Sequence, residues 1–135
     1  MIPTALQKDD SRWAMSITQA STPRGGVRVA VIQGELDASR RAEIIEGMHD
    51  LLETGSPVVL DLSQVRFCSV ACIEAIAQCA TRADQINVDF TIFAPRVVAR
   101  CLALYEPTPH VVTVDGTSPN GTADWLQRVS ALQAS

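Results

Sequence analysis

The chain has 135 residues, 47% of them hydrophobic and 19% charged, with eleven Lys and Arg against fifteen Asp and Glu and a net charge of −4. That length suits one well-buried core rather than two, and the composition is that of a globular chain, not a disordered one. Basic residues never cluster beyond the pair Arg40–Arg41, whereas a surface that tracks phosphates needs concentrated positive charge, so no direct nucleic-acid binding is expected.

Residues 1–12 read as a loose N-terminal segment. They lack the basic and apolar regions of an export signal, which makes the cytoplasm the expected location. Residues 13–135 read as one domain. Trp13–Gln19 alternates apolar and polar with the period of a half-buried strand. Ser21–Gly26 is turn chemistry and Val27–Gln33 a second strand, so the pair predicts a hairpin. Ala42–Thr54 carries Ile44, Ile45, Met48, Leu51 and Leu52 at helical spacing, with Gly55 as the stop. Val58–Leu62 is short, nearly all apolar and rich in β-branched residues, like a strand covered on both faces. Val70–Ala83 reads as a helix with one polar stripe of Glu74, Gln78, Arg82 and Gln85. Val88–Phe93 is another strand. Pro95 suits the first turn of a helix through Tyr105, with Val98, Cys101, Leu102 and Tyr105 inward. Val111–Val114 is a last strand, Asp115–Thr122 a loop, and Ala123–Leu132 a helix built on Leu126, Val129 and Leu132. Trp13, Phe67, Phe90, Phe93 and Tyr105 are assigned to the core.

Repeated strand–helix–strand units require parallel pairing, and the hairpin adds one antiparallel strand. The expected fold is a single α/β domain, a mixed, mostly parallel sheet with flanking helices. Strand order is not encoded in these patterns. No apolar stretch approaches the roughly 20 residues that cross a bilayer, so no membrane insertion is expected.

In such sheets function gathers where strands end and helices begin. Gly34–Ser39, Asp61–Cys72 and Phe93–Arg96 lie there. Glu35, Asp37 and Asp61 could hold Mg²⁺ if they converged; equally, Asp37 or Ser39 caps a helix and Asp61 anchors a turn. Four cysteines, Cys68, Cys72, Cys79 and Cys101, occupy the middle of the chain. Cys68-x3-Cys72 lacks the tight pairs of a structural zinc site, and His49 and His110 are distant in sequence, so neither metal nor cofactor is expected.

Leu60-Asp-Leu-Ser-Gln-Val-Arg-Phe67, with Gly34-Glu-Leu-Asp37 before it and Phe93-Ala-Pro-Arg96 after it, resembles the STAS-domain family of anti-sigma factor antagonists over roughly residues 13–132. The resemblance implies a STAS-like fold and a non-enzymatic regulator. Such a regulator binds an anti-sigma factor, often also a kinase, and so frees a sigma factor for transcription. It also implies that phosphorylation of a Ser at the start of the second helix would end binding, because the added charge is costly in a packed interface. Here Ser69 stands at the family's Asp position, Val70 at the phosphorylated Ser, Ala71 at the next Ser or Thr and Cys72 at Gly. Valine has no acceptor hydroxyl, and Ser69, the nearest substitute, is better suited to capping the helix.

The expected partner-binding surface therefore has Ser69, Val70, Ala71 and Cys72 near its centre. Glu35, Asp37 and Ser39 form its rim, and Glu74, Gln78 and Arg82 its polar stripe. Arg66 and Arg96 flank it. Three alternatives stand beside this reading. The chain is an accessory STAS subunit of a transporter or signalling assembly. Or Cys68, Cys72 and Cys101 form a redox sensor, Cys72 having its thiol pKa lowered by the helix dipole, against simple packing of these thiols. Or Cys72 is the nucleophile of a small thiol enzyme.

Overall fold

The computed structural model describes residues 13–23, 25–106 and 108–114. Trp13–Thr22 (β1) and Gly25–Leu36 (β2) form the expected hairpin, antiparallel, with Trp13 opposite Gly34 and Thr22 opposite Gly25. Thr22 Oγ donates to the Gly25 carbonyl at 2.8 Å. Gly25 takes φ +122°, a conformation in which a Cβ would be strained.

A 3-10 turn over Ala38–Arg40 follows, then α1 (Arg41–Leu52), β3 (Val58–Cys68), α2 (Val70–Gln85), β4 (Phe90–Ala94), α3 (Arg96–Leu102) and β5 (Val111–Thr113). The sheet order is β1-β2-β3-β4-β5, with only the hairpin antiparallel. Each helix returns the chain to the neighbouring strand, as parallel pairing requires.

The main core joins one stripe of each helix to one sheet face. Ile44, Met48 and Leu51 of α1, Ile73 and Ile76 of α2, and Val98 and Leu102 of α3 meet Ile32, Leu60, Leu62 and Ile92. Alternate strand residues turn the other way, and Val27, Val29, Val59 and Phe93 form a second, smaller cluster. Alpha-2 approaches the sheet through small side chains, with Cys72, Ala75, Ala77, Cys79 and Ala83 all buried. On α1, Gly47 lies so close to β1 that a Cβ there would stand 2.7 Å from Met15 Cε. Asn87, at φ +60°, closes α2 while the Val88 N–H bonds the Ala83 carbonyl at 2.9 Å. That turn delays β4 to Phe90 rather than Val88.

Two further departures matter for the site. Strand β3 runs past its predicted end at Leu62 to Cys68. It does so through two bulges: β2 passes from Val31 to Gln33 while β3 passes from Asp61 to Gln64, and from Gly34 to Glu35 while β3 passes from Val65 to Phe67. Val65 still reaches the core at 7% exposure, but the second bulge re-aims Phe67, which is 54% exposed. The core assignment of Phe67 is thus corrected.

The other departure is in α3, which ends at Leu102. Beyond it, the Leu104 and Tyr105 N–H groups bond Cys101 and Leu102 carbonyls, at 3.2 Å each. Val98 and Leu102 are buried as expected, whereas Cys101, expected inward, is exposed. It stands one position, about 100° of helix turn, off the Val98–Leu102 line. Trp13 and Tyr105 pack partly buried against the core, and Phe90 and Phe93 are buried. The loose segment 1–12, the loop 115–122 and the helix 123–132 expected from sequence lie outside the described residues.

Candidate protein-docking site

Strands β2, β3 and β4 are parallel, so Leu36, Cys68 and Ala94 end at one edge of the sheet. The helical elements that follow begin there. Two bonds fasten the end of β2 to the entrance of α2. The Ser69 N–H donates to the Leu36 carbonyl at 2.8 Å, and the Cys72 thiol donates to the Asp37 carbonyl at 3.2 Å.

Ser69 is the N-cap of α2: at φ −68° and ψ 160° its Oγ accepts the Cys72 N–H at 3.2 Å. Asp37 caps the 3-10 turn, its Oδ1 accepting the Ser39 N–H at 3.0 Å and also the Ser39 hydroxyl. Glu35, half-buried, lies in register with Phe67. The structure thus brings Glu35, Asp37 and Ser39 beside Ser69, Val70, Ala71 and Cys72.

Within this short entrance the side chains divide. Cys72 is fully buried and Ala71 half-buried, while Val70, the first residue of α2, is 80% exposed. Phe67 is exposed just before it, and Val97 in the first turn of α3 is 73% exposed. Val97 was not singled out by sequence, because an apolar residue at helical spacing reads as core.

The polar stripe is exposed as expected at Glu74, Gln78 and Arg82. Glu74 leans toward α1, 3.8 Å from Arg41. Arg82 follows Val70 by twelve positions, about 18 Å along the helix axis at 1.5 Å per residue. The stripe is therefore a flank running away from the entrance rather than part of it.

Other candidate chemistry is separated by the fold. Asp61 is 3% exposed, in register with Val31 and Phe93, and its Oδ1 accepts the Ser63 N–H at 2.9 Å inside the first bulge. It anchors that bulge, rather than the turn expected from sequence, and stands away from Glu35 and Asp37. Among the described residues no group of three or more His, Cys, Asp or Glu is placed to hold a metal.

All four cysteines are free. Burial, rather than the helix dipole, governs Cys72: its thiol pKa is raised, with the nearby Asp37 adding to the rise and the Ser69 hydrogen bond and Arg41 opposing it. Burial also pushes Cys68 up to about 12, the Cys72 and Cys101 thiols contributing, and Cys79 to about 11. The direction at Cys72 is thus opposite to the dipole-lowered thiol expected from sequence, because burial disfavours the thiolate.

No curated protein sequence matches the chain. Solved structures do. SpoIIAA in its phosphorylated form, a Bacillus cell fate determinant, is similar at a TM-score of 0.59 and 13% identity, over 86% of this chain and 99% of that one. An anti-sigma factor antagonist from Mycobacterium paratuberculosis aligns at 0.51 and 14%, over 84% and 95%. The murine anion transporter Slc26a9 aligns at 0.54 and 14%, over 93% of this chain and 24% of the transporter. At such identities the likeness is one of fold. A family profile described as "Mlab, STAS domain" matches residues 20–107, and with the five-stranded mixed sheet in sequential order and the helix entrance at its carboxyl edge, the chain belongs to the STAS domain family.

Proposed function

We propose that this chain is a cytoplasmic docking module that binds an anti-sigma factor and thereby releases a sigma factor for transcription. It catalyses nothing and works without the usual serine switch. The observation that carries the reading is Val70, 80% exposed at the first position of α2 beside the exposed Phe67. An uncharged, hydroxyl-free side chain there suits the apolar centre of an interface. Ser69, the nearest hydroxyl, already accepts the Cys72 N–H at 3.2 Å, which gives it a structural role as the helix cap. The anti-sigma factor is thus captured whether or not it is also a kinase. Similarity to anti-sigma factor antagonists supports the choice of partner.

The test is calorimetry of Val70→Glu against a candidate anti-sigma factor, alongside incubation with ATP and that protein. Binding by the parent chain, its loss in Val70→Glu and no phosphate uptake are expected. Undiminished binding by Val70→Glu would mean the docking face lies elsewhere, and stoichiometric phosphorylation at 69 would restore a switch.

A second reading is supported by the likeness to the Slc26a9 anion transporter and by the "Mlab" description of the matching family. In it the chain is an accessory subunit of a transporter or larger assembly. Purification of the tagged chain with membrane ATPase components, and with no sigma-regulatory protein, would replace the first reading by this one.

A further inference from the structure

Strand β1 lies at one edge of the sheet and has β2 as its one described neighbour. Its ten residues pair with β2 in unbroken register, from Trp13 opposite Gly34 to Thr22 opposite Gly25. The other edge strand, β5, is three residues long. An edge presents unpaired backbone groups, and proteins blunt it with charge, proline, a bulge or a short strand. From Trp13 to Thr22 there is no Asp, Glu, Lys, Arg, Pro or Gly, and the pairing has no bulge. Ser16, Ile17, Thr18 and Gln19 are exposed in a row. This edge has none of the usual protections.

The phase of its hydrogen bonds follows from the hairpin. Two residues separate Thr22 from Gly25, and a two-residue loop closes on a hydrogen-bonded pair. Bonded and non-bonded pairs alternate along an antiparallel ladder, so Ala20, Thr18, Ser16 and Ala14 spend their backbone groups on β2. Those of Trp13, Met15, Ile17, Gln19 and Ser21 point away from it. Among the described residues nothing hydrogen-bonds them. Ile17, 40% exposed, is the midpoint of that outward set.

We infer that β1 is a self-association edge whose occupant is β1 of a second copy of this chain, antiparallel about a two-fold axis through Ile17. In that register the outward backbone groups bond Trp13 to Ser21 of the second copy, Met15 to its Gln19, and Ile17 to its Ile17. On the other sheet face Ala14 stands opposite Ala20, and Ser16 opposite Thr18. Every pair is neutral, a β-branched pair sits on the axis, and the Ser16 and Thr18 hydroxyls come within reach of each other. A chain of net charge −4 thus meets its copy along a strand that sets no like charges opposite. The product is one continuous sheet in which β3 and its copy lie five strand spacings apart, ~24 Å. Because those strands then run in opposite directions, the two α2 entrances open at opposite ends. The dimer presents two docking faces, whatever binds them.

Sedimentation equilibrium of the full chain through the micromolar range should show a mass rising to twice the 14.5 kDa of one copy. Ile17→Lys sets like charges opposite each other on the axis and should weaken association about tenfold or more. Ile17→Pro removes an outward N–H and should do the same with the β2 ladder intact, whereas Thr18→Pro should break that ladder. The urea midpoint should rise with concentration in the parent and stay fixed in both Ile17 variants. Benzoylphenylalanine in place of Gln19 should cross-link Met15 of the second copy.

A chain that stays monomeric throughout would overturn the inference and leave the edge to a strand of another protein. So would a dimer that both Ile17 variants leave intact, or dimeric cross-links from position 19 that map outside β1. Should the Ile17 variants fail to fold, the position-19 cross-link decides alone.

Discussion

Replacing Val70 by Glu separates fold from interface. Val70 is 80% exposed, so about one fifth of the ~1.5–3 kcal/mol of a fully buried aliphatic side chain is at stake, roughly 0.3–0.6 kcal/mol. The first turn of α2 contains no acid, and a carboxylate near a helix N-terminus gains about 0.3–1 kcal/mol from the backbone dipole. The two effects nearly cancel. With a denaturant slope of about 2 kcal/mol per molar urea, the unfolding midpoint should move by no more than about 0.3 M. In a complex the same carboxylate would be desolvated without a partner, which costs about 3–5 kcal/mol, or about two to three and a half orders of magnitude in Kd. Urea unfolding followed by circular dichroism, then calorimetry with the partner, measures both. A variant that keeps its affinity within threefold would refute the interface; one that loses more than about 1.5 kcal/mol of stability would show that Val70 supports the core.

Ser69→Ala removes the oxygen that accepts the Cys72 N–H and should cost about 1 kcal/mol in urea unfolding, while Ser69→Asp keeps the cap; equal stability of Ser69→Ala and parent would remove the capping role. At pH 7 the exposed Cys101 should alkylate with iodoacetamide well before Cys68, whose pKa of about 12 leaves about one thiolate in 10⁵; rapid stoichiometric labelling of the buried Cys72, read by intact mass, would revive the nucleophile reading. Cys79 is raised from 9.0 to about 11 in the fold, so the unfolded chain ionises there first. Stability should be full below about pH 9 and fall as pH rises toward 11, by up to about 1.4 kcal/mol per unit, less in Cys79→Ala. A Gly47→Ala Cβ would stand 2.7 Å from Met15 Cε. The roughly 1 kcal/mol of helix propensity it offers should appear in full only with Met15→Ala, giving a coupling above about 0.5 kcal/mol in a double-mutant cycle; strict additivity would mean that Met15 simply swings aside.

The element order was legible because each helix has a clean buried stripe, as with Ile44, Met48 and Leu51 in α1, and each parallel strand a short apolar run such as Val58–Leu62. Strand order was not, since an apolar run does not name its neighbour. The residues from 63 to 68 escaped because bulges destroy the period of two on which strand reading depends. Phe67 was consequently assigned inward on residue type alone, and Cys101 on the assumption that α3 buries a wide stripe when it buries only Val98 and Leu102. The helix entrance was legible in its cap, because a Ser with an extended backbone before an apolar helical run has one obvious hydrogen-bond partner. What could not be read was the thiol chemistry at Cys72. A pKa depends on the full surroundings, and the contact with the Asp37 carbonyl spans thirty-five positions of sequence.

Position 69 and position 72 anchor the helix entrance through the Leu36 and Asp37 carbonyls, whereas Val70 between them touches mostly solvent. Anchoring and outward-facing chemistry thus occupy different residues of the same turn. Substitution at position 70 consequently costs the fold little, about 0.3–0.6 kcal/mol at the exposure of Val70, so the outward chemistry of this turn can change by a single residue while its anchors stay as they are.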